Sequence, residues 1–159
     1  MSRFLAFIVV VLPLVTFSQT FSSAIEYNDF IIDHINELDS IYVTTMNVES
    51  GKEHCLLQCE ILIKRAEEMI FELEANNVYE GETKFASAAI VFCKYMRDAG
   101  KKDLPEFIST IMRENIASSE EAGINKMADK IDENYDKQMT AFEKAQKVFA
   151  KKFDFVIAE

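Results

Sequence analysis

From Tyr27 to Phe153 the apolar residues return at steps of three and four, and no period-two alternation persists anywhere. That spacing lines one face of a helix at 3.6 residues per turn. A first helix, roughly Glu26 to Met46, carries Tyr27, Ile31, Ile35, Leu38 and Tyr42 on its inner side. A second follows "ESGKE", where Ser50 and Glu53 have the spacing of a capping box, and runs to about Ala75. "NNVYEGE" interrupts the pattern. A third helix, about Thr83 to Ala99, sets Phe85, Ala89, Phe92, Cys93 and Met96 on one side, with Gly100 as its stop. In "DLPEF" Asp103 can cap and Pro105 suits the first turn, which predicts a short fourth helix to about Ala117. The last stripe, Ile124, Met127, Ile131, Tyr135, Met139, Phe142, Ala145, Phe149 and Phe153, holds over about thirty residues. With only four glycines, two prolines, no internal repeat and short connections, the chain is expected to be all-α. The predicted architecture is a four- or five-helix up-and-down bundle with a long C-terminal helix.

The N-terminal stretch "MSRFLAFIVVVLPLVTFSQTFSSA" has one positive charge at Arg3, an apolar run from Phe4 to Val15, then small and polar residues. That is the layout of a secretory signal peptide, and the run is short of the roughly 20 apolar residues of a membrane span. Residues 1–18 are expected to be removed, with cleavage as late as residue 24 also compatible, leaving a mature start at Gln19 or Ile25. Residues 25–159 then form a single secreted, extracellular helical domain with no stable membrane insertion. Seventeen basic residues face 27 acidic ones, for a formal charge of −10, and loss of Arg3 makes it −11. Such a surface excludes nucleic acid as a partner of the whole molecule, because that binding depends on neutralising phosphates. No asparagine stands in an N-x-[ST] acceptor.

Three cysteines in a secreted chain raise the question of pairing. Cys55 and Cys59, one helical turn apart, hold their Cβ atoms about 5–6 Å apart, beyond disulfide reach. In a level hairpin of the second and third helices, Cys59 is offset from Cys93 by about 9 Å of rise and Cys55 by about 15 Å. A Cys59–Cys93 disulfide is therefore the expected staple, contributing roughly 3–4 kcal/mol. Cys55 remains as a buried free thiol, or as the link of a disulfide-bonded homodimer. The run Cys55-x3-Cys59, then 33 residues to Cys93, resembles the middle of the six-cysteine framework of insect odorant-binding proteins, helical carriers of small apolar ligands. The likeness covers residues 55 to 93 only. The first and last two cysteines of that framework have no counterpart, so no binding residue is carried over.

Candidate chemistry is sparse. Neither His34 nor His54 has a glutamate three residues before it, so the Glu-x-x-His ligand pair of bundle metal sites is missing. His54 and Cys55 are adjacent on a helix and point apart, which disfavours both a zinc site and an activated thiol. Asp129, Asp132, Glu133 and Asp136 share a helical face but lack the turning, glycine-bearing backbone of a calcium loop. No metal, cofactor or enzymatic activity is expected. Farther along, Lys137, Lys144, Lys147, Lys151 and Lys152 against Glu143 give residues 137–153 a charge of +4, leaving −15 for the rest of the mature chain. Cations near a helix C-terminus oppose its dipole; they also suit a docking strip for an acidic partner. The readings that remain are a secreted noncatalytic interaction or effector protein that meets an extracellular protein, or a carrier of a small apolar ligand or lipid between its helices. In the carrier reading Phe92, Met96, Met139 and Phe142 bind the ligand, with its head near Lys144 or Lys147.

Overall fold

The computed structural model describes residues 20–157, so the signal-peptide reading and Gln19 lie outside the described residues. The first helix, α1 (Ala24–Met46), begins where Ser23 Oγ accepts the Glu26 N–H at 3.1 Å. Glu26 returns the contact, its carboxylate accepting from the Ser22 N–H at 2.7 Å and the Ser22 hydroxyl at 2.6 Å, and these bonds hold its pKa below the ordinary value. Orphan donors at a helix start are satisfied in this way. Tyr27, Ile31, Ile35, Leu38 and Tyr42 are all buried, as their spacing predicts.

A 3-10 turn, Val48–Ser50, leads to α2 (Lys52–Ala75). The box expected from Ser50 and Glu53 does not form: Gly51, at φ +90°, is the cap residue, and no side chain caps the helix. Positive φ at this junction suits glycine, which has no Cβ to clash. Beyond α2, Tyr79 and Glu82 exchange backbone hydrogen bonds across a two-residue turn in which Glu80 and Gly81 both have positive φ. Such paired left-handed residues make a primed hairpin turn. Glu82 then accepts from the Lys84 and Phe85 N–H groups and so starts α3 (Lys84–Lys101).

Gly100 does not stop α3. It lies inside the helix, without positive φ, where an added Cβ would come within 3.0 Å of Ile63 Cγ1 and 3.4 Å of the Cys59 carbonyl oxygen. Close approach of α2 is what requires glycine there. After it, α4 (Asp103–Ile111) ends well before Ala117. Residues 113–120 offer only Ile116 and Ala117 as apolar side chains, both exposed, and a helix with no face to bury gains little from packing. Asp103 lies within α4 and pairs with Lys130 at 3.2 Å instead of capping. The long helix α5 (Glu121–Lys152) completes the chain's regular structure.

Helices α1, α2, α3 and α5 run up, down, up and down. Antiparallel pairing shows in Glu37–Arg65 and His34–Glu72 for α1 with α2, and in Phe85–Phe142 and Phe92–Tyr135 for α3 with α5. The α3 helix touches all the others, and α4 closes one end against α2, α3 and α5. Between α1 and α5 the contact runs through long side chains: Gln146 donates to Asn28 at 3.0 Å, Tyr135 donates to Asp39, and the Tyr42 and Tyr135 rings stack at 4.9 Å.

The expected Cys59–Cys93 disulfide is absent. All three cysteines are free and buried, and no pair lies at bonding distance. The physical reason is register. Glu67 pairs with Lys101, Glu74 with Lys94, and Gly100 packs on Ile63, so α3 begins about a turn beyond the end of α2 rather than level with it. Cys93 is level with the stretch around Ile70 to Leu73, at least about 15 Å of helix rise from Cys59, whereas a disulfide needs Cα atoms within about 7 Å. Cys55 Sγ donates to the Asn47 carbonyl at 3.4 Å; a link to a second chain would require that sulfur to leave the interior.

Candidate functional site

The residues expected to line an interior ligand pocket are packed against their neighbours. Phe92 and Met96 are wholly buried, Phe142 is 2 % exposed, and Met139 is half-buried. Phe142 stacks on Phe85 at 5.6 Å, Phe85 on Phe149 at 5.0 Å, and Phe92 meets Tyr135 edge-on at 5.9 Å. Offset and edge-to-face pairs at these spacings are those preferred in filled cores. The five principal grooves and recesses of the surface are lined by other residues.

A surface groove of about 510 Å³ runs along the C-terminal half of α5. Lys147 and Lys151 stand with Glu143, Gln146 and Ala150 on the helix side, and Phe155 and Ile157 complete the lining. Gln146, Phe155 and Ile157 also border a recess of about 270 Å³ against α1. Phe155 and Ile157 reach the groove because the chain folds back after α5. Asp154 takes φ +55°, the Phe155 N–H bonds to the Ala150 carbonyl at 3.1 Å, and the Phe155 ring meets Phe149 at 5.9 Å. A left-handed residue, a six-to-one hydrogen bond and an apolar contact are the parts of a Schellman ending. Gln146 is fixed by its buried bond to Asn28. Phe155, Ile157 and Gln146 were not anticipated as site residues; the only signal for the fold-back is the aromatic triplet Phe149, Phe153 and Phe155, with aspartate where glycine is usual.

Charge marks the same helix. Arg65, Lys94, Lys101, Arg113 and Lys130 have carboxylate partners; Lys137, Lys144, Lys147 and Lys151 are exposed and form no ion pair among the described residues, as is also true of Lys52, Lys84, Lys102 and Lys126, but only these four cluster within fifteen residues of one helix. Lys152 lies 4.9 Å from the Phe153 ring. The acidic half of α5 is equally free: Asp129, Glu133 and Asp136 are exposed and unpaired among the described residues.

Elsewhere the ionisable groups serve packing. Arg65 holds Glu37 at 2.7 and 2.9 Å; the hydrogen bonds lower the Glu37 pKa and raise that of Arg65. His34 meets Glu72 at 2.9 Å between α1 and α2. His54 is exposed and 3.5 Å from Gln58. Burial pushes the Cys59 thiol up to about 11, with nearby Cys55 adding to it, and burial pushes Cys93 up to about 12. The protonated thiol is a poor nucleophile. Among the described residues no group of three or more His, Cys, Asp or Glu is placed to hold a metal ion, and no helix is long and apolar enough to cross a membrane.

These observations define an antiparallel all-α bundle whose distinctive surface lies on its last helix. No protein family, no curated protein and no solved structure matches the chain.

Proposed function

We propose that the protein is a secreted, noncatalytic interaction protein that meets an acidic extracellular partner through the C-terminal half of α5. The observation that carries this reading is the set of exposed lysines at 137, 144, 147 and 151, unpaired among the described residues on a chain of net charge −10. On so acidic a molecule a locally positive strip draws a negative partner in and orients it, raising association rate and selectivity more than affinity. Phe155 and Ile157 beside Lys147 and Lys151 supply the apolar contact that charge alone does not.

The test uses the mature chain and a glutamate-rich amphipathic peptide, followed by backbone amide shifts. Perturbations confined to residues 143–157, lost in Lys147→Glu/Lys151→Glu, are expected. Perturbations centred on α2 and α3, or none at millimolar peptide, would remove the reading.

The carrier alternative draws on the same groove, where an apolar wall next to two cations suits a fatty carboxylate. It predicts saturable displacement of an environment-sensitive dye by laurate, abolished in Phe155→Asp. A flat titration with the delipidated protein would leave the protein partner.

A further inference from the structure

We propose that the partner-facing helix also recognises a second copy of this chain, forming an antiparallel two-fold dimer about Thr140. The inference rests on the reading of α5 as the interaction surface and names a partner for it. On a helix, positions 3, 4, 7 and 11 residues either side of a centre fall within about 60° of it, by the turn of 3.6 residues. Around Thr140 those positions are all exposed, and they lie opposite the buried Ile131, Phe142 and Phe149. Antiparallel pairing about Thr140 sets Glu133 against Lys147 of the second copy and Asp136 against Lys144. The flanking positions follow the same rule, Asp129 meeting Lys151 and Lys137 meeting Glu143. Every pair is of opposite sign, and the two-fold axis makes each occur twice, as an isologous interface requires.

A simpler cause of a bipolar helix is its dipole, which favours acids at the start and bases at the end. That effect fades within the first and last turn, while Asp136, Lys137, Glu143 and Lys144 sit near the middle of a 32-residue helix. Within one copy the like pairs Asp129–Glu133 and Lys147–Lys151 are offset by the opposite pairs Glu133–Lys137 and Glu143–Lys147 at the same one-turn spacing, while Asp136 and Lys144 have no opposite charge three or four residues away. None of the eight groups forms an ion pair among the described residues. A second copy sets Asp136 and Lys144 against each other.

Contact over residues 129–151 spans about 33 Å of helix. At a width of about 10 Å this buries on the order of 700 Å² in total, below the roughly 1,000 Å² of stable interfaces. The dimer is therefore weak and reversible, in the range of tens to hundreds of micromolar. Net charge repels the two copies at long range. At about 0.1 M salt, where the screening length is about 10 Å, that repulsion is damped while contacts in van der Waals range persist.

Sedimentation equilibrium of the mature chain up to about 1 mM, at about 0.1 M and about 1 M salt, reads the association. The wild type is expected to dimerise at the lower salt and to dissociate at least about tenfold more readily at the higher. Glu133→Lys/Asp136→Lys and Lys144→Glu/Lys147→Glu should each lose self-association by more than about tenfold. Their mixture should recover it, although both variants remain net negative. Combining the four substitutions in one chain keeps the wild-type net charge and should restore the homodimer. Wild type that stays monomeric at about 1 mM overturns the proposal, as does a mixture that fails to recover with both variants helical by circular dichroism. If the monomeric wild type still binds the acidic peptide at 143–157, only self-pairing falls; if it does not, the reading beneath it falls too.

Discussion

Replacing Phe92 with alanine distinguishes a filled interior from a ligand chamber more directly than any binding assay. Phe92 is wholly buried on α3, the helix that touches all the others. A buried aromatic ring removes roughly 150–250 Å² from water, and at about 25 cal/mol per Å² its loss costs about 4 kcal/mol, less a little for the remaining methyl. Ring contacts to Tyr135 at 5.9 Å and Phe142 at 6.4 Å add about 0.5–1.5 kcal/mol. The expected destabilisation is therefore 3–5 kcal/mol, the usual range for such a truncation. With a urea slope of about 2 kcal/mol per M, the unfolding midpoint should fall by roughly 2 M. Phe71, 69 % exposed on α2, is the control; its truncation should stay within about 0.5 kcal/mol. Should Phe92→Ala be too unstable to purify, Phe92→Leu should still cost roughly 1–2 kcal/mol. A loss below about 1.5 kcal/mol in Phe92→Ala, with an unchanged slope, would refute the packing argument and point to space around the ring.

Non-reducing peptide mapping should find three free thiols that react with a disulfide reagent at pH 8 only after unfolding. Because folding raises the Cys59 and Cys93 pKa values from 9.0 to about 11 and about 12, their stabilisation is complete below pH 9 and is lost as pH rises through those folded values. Unfolding titrations should show the loss beginning between pH 9 and 10, up to about 1.4 kcal/mol per pH unit for Cys93; a flat stability there would contradict it. Gly100→Ala should destabilise by about 1 kcal/mol, because the crowding against Ile63 and Cys59 outweighs its better helix propensity. Gly123→Ala, with nothing within 4 Å of the added carbon, should stabilise by about 0.5 kcal/mol; thermal melts that show the same sign for both would sink the close-approach reading. Under the proposed secretion the mature form should begin at Gln19 and not Ile25, since the later start removes the Ser23 cap and the Phe21 ring that packs on Tyr27 at 4.9 Å. A chain of residues 25–159 should melt roughly 5–10 °C below one of residues 19–159, and N-terminal sequencing of secreted material at Ile25 would reverse that assignment.

The helices were legible in the sequence because their inner stripes are long and regular. Tyr27 to Tyr42 and Phe85 to Met96 are buried as read, and α1, α2 and α5 end close to their expected limits. What escaped depends on backbone geometry that spacing does not encode. Gly51 caps α2 through positive φ where a side-chain box was expected, while Gly100, read as a stop, serves contact instead. The disulfide failed for a related reason. Symmetric residue counts from a turn assume helix ends at one level, but the hairpin turn at Glu80 and Gly81 carries the chain past α2 before α3 begins. A few residues of offset exceed the tolerance of a sulfur–sulfur bond and hardly disturb hydrophobic packing, which has no direction.

The same distinction governs the candidate site. Periodicity correctly turned Phe92, Met96 and Phe142 inward, but whether an inward face encloses space depends on what meets it across the bundle. Here Phe92 and Phe142 are met by rings across the α3–α5 contact at 5.6 to 6.4 Å. The lysines of α5 were legible as a run, yet their lack of ion-pair partners was not, because a sequence rich in acids offers many candidates and only the fold shows that none pairs with them among the described residues. Phe155 and Ile157 became site residues through the left-handed Asp154, a conformation uncommon outside glycine. The core groups are paired or packed, while one face of α5 keeps its charges exposed and without ion-pair partners among the described residues. Asp136 and Lys144 have no opposite charge three or four residues away along α5, and a complementary surface, in a second copy or another protein, would supply one.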